Sequence, residues 1–88
     1  ESSSVLDFVQ LSEKVNISKI IVPDSIADKT VLAVDFRGRF GINIIAIENH
    51  SGVQQKINPG YKFQKGDILY VSGDKPSLSH FMEWAKKG

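Results

Sequence analysis

Ile42-Asn43-Ile44-Ile45-Ala46-Ile47-Glu48 is the stretch that decides how this 88-residue chain folds. Isoleucine dominates it, and a β-branched side chain fits a pleated sheet better than a helical turn. Its near-continuous apolar run predicts a strand buried on both faces. Downstream, Asn49-His50-Ser51-Gly52 reads as a turn, and Val53 to Ile57 as the return strand of a hairpin. Gln54 and Lys56 interrupt that return strand, so it is expected to be only half-buried. Upstream, Phe40-Gly41 reads as the end of a helix over residues 30–39. Thr30 is its expected cap, and Gly41 suits the left-handed position that closes a helix. Val31 and Val34 lower its intrinsic propensity, so tertiary packing has to hold it.

The flanks complete the pattern. Ile17 to Val22 reads as a strand stopped by Pro23, with the polar connector Asp24 to Thr30 behind it. Asn58-Pro59-Gly60 and Phe63 to Asp67 are turn sequences. Ile68 to Ser72 is a further strand, and residues 77–87 a final helix with Leu78, Phe81, Met82 and Ala85 facing inward. At the other end, residues 4–16 are expected to form a short amphipathic helix. Ser4 would cap it, with Asp7 three residues on, and Val5, Phe8, Val9 and Ser12 fall at helical spacing. The expected fold is therefore α+β: a small four-stranded sheet with flanking helices, preceded by a connector helix over residues 1–16.

Composition bounds the function. Eighty-eight residues make one domain with a modest core. Eleven Lys and Arg against ten Asp and Glu leave a formal charge of +1, which speaks against a broadly basic nucleic-acid surface. The chain has no Cys, which removes disulfides and thiolate metal sites and favours a cytosolic setting. No apolar run approaches the roughly 20 residues that span a bilayer. The chain opens without Met and in mid-pattern, so a fragment of a longer protein is expected.

Catalysis finds little support. His50 sits in a turn and His80 on the last helix, outside any nucleophile–base pattern. Asp24, Asp28, Asp35, Glu48, Asp67 and Asp74 are dispersed and read as turn or cap residues. There is no phosphate-cradling glycine loop. Asp35 to Asn43 is more informative. Arg37 and Arg39 are compatible with two roles: cations stabilising the negative end of a helix, or a site for an anion, since guanidinium grips phosphate two-pronged. Asn43 opens an apolar strand with an amide that can pair with the edge of an adenine.

Taken in order, Ile20-Ile21-Val22-Pro23, Asp28 to Leu32, Asp35-Phe36-Arg37, Phe40 to Ile47 and Gly66 to Gly73 resemble the RCK C-terminal domain, also called TrkA-C. The resemblance covers about residues 17–87, making residues 17–88 the regulatory domain, and its nearest likeness is to gating subunits of Ktr-type bacterial potassium transporters. It implies a homodimer, set in a larger ring through a Rossmann domain absent from this sequence. It implies a membrane-embedded potassium transporter as partner, and a cytoplasmic place at the inner face of the membrane. In one branch of the family it implies cyclic di-AMP bound at the two-fold interface to inhibit ion uptake, with no cofactor, no metal and neither DNA nor RNA. Carried over by position, Arg37 becomes the phosphate contact and Asn43 the polar contact on the next strand, with Asp35 in the same motif. Val31, Leu32 and Ile44 become apolar lining, and Ile57-Asn58-Pro59 the segment against the base. A purely structural dimerisation module, or the regulatory domain of a cation–proton antiporter, is the alternative.

Overall fold

A computed structural model describes residues 5–87. Five strands form one fully antiparallel sheet in the order β1-β2-β5-β3-β4. They are β1 (Val5–Gln10), β2 (Asn16–Ile21), β3 (Asn43–Asn49), β4 (Gly52–Gln54) and β5 (Ile68–Gly73). Helix α1 (Val31–Val34) and a single wide turn, Phe36–Phe40, lie between β2 and β3, and α2 (Lys75–Lys87) closes the chain. The mixed α/β character is as expected, but the sheet has five strands rather than four.

The fifth strand is the segment expected to be a helix. Its residues at 5–10 pair with β2, and the chain turns back through residues 11–15, where the Ser12 hydroxyl accepts from the Lys14 and Val15 amides. The helical spacing of Val5 and Phe8 has a different cause. The register shifts between Val5 and Asp7, so Leu6 is an extra residue and the bulge turns Val5 and Phe8 to the same side. An i, i+3 pair therefore shares one face without any helix. The proposed Ser4 cap lies outside the described residues.

Alternation organises the body of the sheet. Ser18 and Ile20 on β2, Leu69 and Val71 on β5, and Ile47 on β3 point to one side and are buried. Helix α2 covers that side with Leu78, Phe81 and Ala85. Phe81 packs against Phe36 and Phe40 at ring separations of 5.0 and 5.3 Å, and Phe36 against Phe63 at 5.8 Å. Burying one such ring contributes about 1.5–3 kcal/mol. The Ser25 hydroxyl donates to the Ala85 carbonyl at 2.7 Å, tying the β2–α1 connector to the far end of α2.

Among the described residues, no helix covers the opposite side of the sheet. There Tyr70 donates to Glu48 at 2.7 Å, and the Lys19 ammonium lies 5.8 Å from the Tyr70 ring centre. Burial of β3 on both faces is realised only at the neighbours Ala46 and Ile47, and Ile45, at a bulge in the β3–β5 register, remains 39% exposed. The expected return strand 53–57 shrinks to Gly52–Gln54, all exposed. A run of polar residues at a sheet edge gains too little burial to stay paired. Helix α2 begins at Lys75 rather than 77, since Pro76 is tolerated in a first helical turn.

Candidate functional site

The expected helix over 30–39 is broken in the middle, and the break builds the site. The Thr30 hydroxyl accepts from the Ala33 amide at 3.0 Å, which starts α1 as anticipated. After one turn Asp35 adopts a left-handed conformation, φ +56°, and ends it. Its carboxylate then accepts from the Gly38 amide at 3.1 Å and caps the wide turn Phe36–Phe40. Gly41, also left-handed at φ +71°, closes that turn by donating to the Arg37 carbonyl at 3.0 Å. A residue other than glycine would be costly there. Phe36 and Phe40 point into the core, which forces Arg37, Gly38 and Arg39 outward.

The second wall comes from far along the chain. Residues 59–63 run antiparallel to residues 28–32. Leu32 donates to the Pro59 carbonyl, and Val31 to the Tyr61 carbonyl, each at 3.0 Å. Thr30 and Lys62 form a bridge beside them. The start of β3 supplies the third wall.

Between these walls lies an open pocket of about 250 Å³. Val31, Leu32, Asp35 and Arg37 line it from α1 and the wide turn, Asn43 and Ile44 from β3, and Ile57 and Pro59 from the loop. Eight of the nine residues singled out from sequence therefore surround one cavity. Asn58 does not. Its side-chain oxygen accepts from the Gly60 amide at 2.8 Å and its carbonyl from Tyr61 at 3.0 Å, so it shapes the turn. Phe36 and Ile42 form the floor, unnoticed in the sequence because both are core residues that reach the pocket from beneath.

The polar groups at the rim differ in availability. No hydrogen bond or ion pair engages the Arg37 or Asn43 side chain among the described residues. The Arg39 guanidinium, by contrast, lies 5.5 Å from the Trp84 ring centre in a cation–π stack. The two arginines thus separate: Arg39 is spent on α2, and Arg37 is free at the cavity. Asp35 is present at the rim, but its carboxylate is held by Gly38. Leu32 is 73% exposed, an apolar edge that one copy of the chain leaves uncovered. No group of three or more His, Cys, Asp or Glu able to hold a metal occurs among the described residues. None of the described helices is long and apolar enough to cross a membrane.

A five-stranded antiparallel sheet backed by one long helix, with a broken helix that sets Arg37 at the rim of an open pocket, defines a small α/β domain of one recognisable class. The chain belongs to the TrkA-C domain family, which matches residues 16–86. It is 34% identical over 80 residues to Ktr system potassium uptake protein C of Bacillus subtilis (strain 168), a match covering 91% of this chain and 36% of that protein. Ktr system potassium uptake protein A of the same organism is 23% identical over 78 residues, 89% of this chain and 35% of that protein. The chain thus spans about a third of the length of these curated relatives. Among solved structures, it is similar to the RCK C domain of potassium transport protein KtrA in complex with cyclic diadenosine monophosphate. That likeness has a TM-score of 0.72 and 30% identity, over 76% of this chain and 79% of the other. The GsuK RCK domain shares the fold, with a TM-score of 0.79 at 18% identity, over 91% of this chain and 18% of that one.

Proposed function

We propose that this chain is the regulatory domain of a gating subunit in Ktr-type potassium transport, and that it binds cyclic di-AMP between two copies to inhibit ion uptake. The observation that carries this reading is the unpaired guanidinium of Arg37 beside the free amide of Asn43 at the mouth of an apolar pocket. Cyclic di-AMP carries two phosphodiester charges and has two-fold symmetry. A symmetric dimer presents one patch twice, so each Arg37 meets one phosphate. Each such charge-assisted contact contributes on the order of 1.5–3 kcal/mol. One pocket is smaller than the roughly 300–1,000 Å³ of an ordinary ligand cleft, and two facing pockets reach that range. The exposed Leu32 would be covered in the same event.

The 30% identical KtrA domain solved with this nucleotide supports the ligand. The two Ktr relatives support the transport setting. The whole protein would work in the cytoplasm against a membrane-embedded partner, and the domain performs no chemistry of its own. DNA is not part of this reading, since a net charge of +1 gives no broad basic surface.

Titration calorimetry with cyclic di-AMP tests it. Wild type is expected to bind one nucleotide per two chains, and Arg37→Ala to lose about tenfold or more in affinity, the equivalent of about 1.4 kcal/mol. Wild-type affinity in that variant would remove Arg37 from its role. A wild type that ignores the nucleotide would leave a purely structural dimerisation module.

A further inference from the structure

A partly buried polar cluster lies outside the pocket, centred on Asp67 and the Tyr61 hydroxyl. Asp67 is a carboxylate only 2% exposed. Its Oδ2 accepts from the Tyr61 hydroxyl at 2.5 Å and from the Gln64 amide at 2.9 Å. The Tyr61 hydroxyl in turn accepts from the Asn49 amide group at 3.3 Å. Three remote parts of the fold meet at this phenol: the end of β3, the 58–64 loop and the entry to β5. Burying a carboxylate is costly unless donors surround it, so the cluster holds its geometry tightly. Burial and the hydrogen bond to Asp67 both raise the Tyr61 pKa, which keeps the phenol a donor at neutral pH.

Tyr61 faces two ways. Its side chain is anchored in that cluster, while its backbone carbonyl receives the Val31 amide and its own amide is bound to the Asn58 carbonyl. Two residues back, the Pro59 carbonyl receives the Leu32 amide. Val31 and Leu32 form one wall of the pocket, and Ile57 and Pro59 the other. Residues 58–60 are exposed and β4 ends at Gln54. Backbone bonds to residues 28–32 and the buried Phe63 hold the loop from one side, and the Tyr61 phenol adds a side-chain tie to the end of β3 and the entry to β5.

We infer that Tyr61 is the positioning residue of the pocket: its phenol, clamped between Asp67 and Asn49, sets the spacing between α1 and the 57–60 segment and so the affinity for the nucleotide. This rests on the reading of the pocket as the cyclic di-AMP site. Tyr61 does not line the pocket; it acts through Pro59, Val31 and Leu32.

Tyr61→Phe keeps the ring and removes the clamp. Its affinity for cyclic di-AMP, measured by calorimetry well below the melting temperature, is expected to fall about fivefold, the scale of one buried hydrogen bond. Leu78→Ala, which weakens the α2 core instead, is expected to lower the melting temperature while leaving affinity within about twofold. Hydrogen exchange supplies a readout independent of any ligand. In Tyr61→Phe the Val31 and Leu32 amides are expected to exchange about fivefold faster, whereas Leu78→Ala is expected to speed the Leu69 and Val71 amides while leaving Val31 and Leu32 unchanged. If wild type binds no nucleotide, the ligand reading falls and the exchange result still decides the clamp. Unchanged exchange at Val31 and Leu32 overturns it, and so does wild-type affinity in Tyr61→Phe. Should that variant fail to fold, Asn49→Ala removes one arm of the clamp and is read in the same two ways.

Discussion

Asp35 and Gly38 show how much a single backbone position decides. With Asp35 left-handed and its carboxylate on the Gly38 amide, the chain bends and carries Arg37 to the pocket. A methyl group on Gly38 would overlap that carboxylate. Gly38→Ala is therefore expected to expel Asp35 from its bond and cost about 0.5–2 kcal/mol, the scale of a lost cap. For a domain of this size that lowers the melting temperature by about 4–8 °C per kcal/mol, readable by calorimetry. The arginines give a second test at this scale. Arg39→Ala is expected to leave cyclic di-AMP affinity within about threefold and cost about 0.5–1 kcal/mol of stability through the lost stack on Trp84. Equal losses of affinity on truncating Arg37 and Arg39 would contradict their separation.

At the scale of elements, the start of α2 is a hydrogen-bonded device that titrates. Asp74 precedes α2 and accepts from the Ser77 amide at 2.9 Å. The Ser77 hydroxyl first, and its backbone amide second, hold the Asp74 carboxyl below the usual aspartate value. A lowered folded value means that the charged form stabilises the fold. That contribution is present above the ordinary carboxylate range and disappears as pH falls through the lower, folded value. Asp74→Asn can still cap the helix but cannot titrate. The stability difference between wild type and Asp74→Asn is expected to shrink on going from pH 6 to pH 3, as read from paired denaturant melts. A difference constant across that range would show that the charge is irrelevant to α2. Strand β1 belongs to the same scale. Every residue of it is exposed, and among the described strands it pairs with β2 at the sheet edge, with the Lys75 ammonium 5.8 Å from the Phe8 ring centre. Its amides are expected to exchange well ahead of those in β5, which has partners on both sides.

For the whole molecule, the proposed site is shared between two copies, and its consequence is concentration dependence. A ligand that binds only the folded dimer stabilises it by mass action, about 2.7 kcal/mol at a hundredfold excess over Kd. Cyclic di-AMP is expected to raise the melting temperature and shift the chain toward dimer in light scattering. The linear dinucleotide, lacking two-fold symmetry, is expected to do so weakly. Equal shifts from both compounds would argue against a symmetric site.

The sequence alone determined the order of most elements, from the strand at Ile17 to the last helix, because apolar period and Gly or Pro punctuation are local signals. The family resemblance also carried over eight residues that line one pocket, six of them within the nearly contiguous motif from Val31 to Ile44, and Ile57 and Pro59 from the later loop. Tertiary structure decided what depends on distant partners. Residues 5–10 became a strand because β2 offered them an open edge and a bulge absorbed their spacing. Asp67 reads from sequence as a turn residue, and its burial beneath the Tyr61 hydroxyl arises only when the fold closes around it. Hydrogen bonds across many residues of chain leave no periodic trace, so only the folded coordinates reveal which polar side chains are spent and which, like Arg37, remain free.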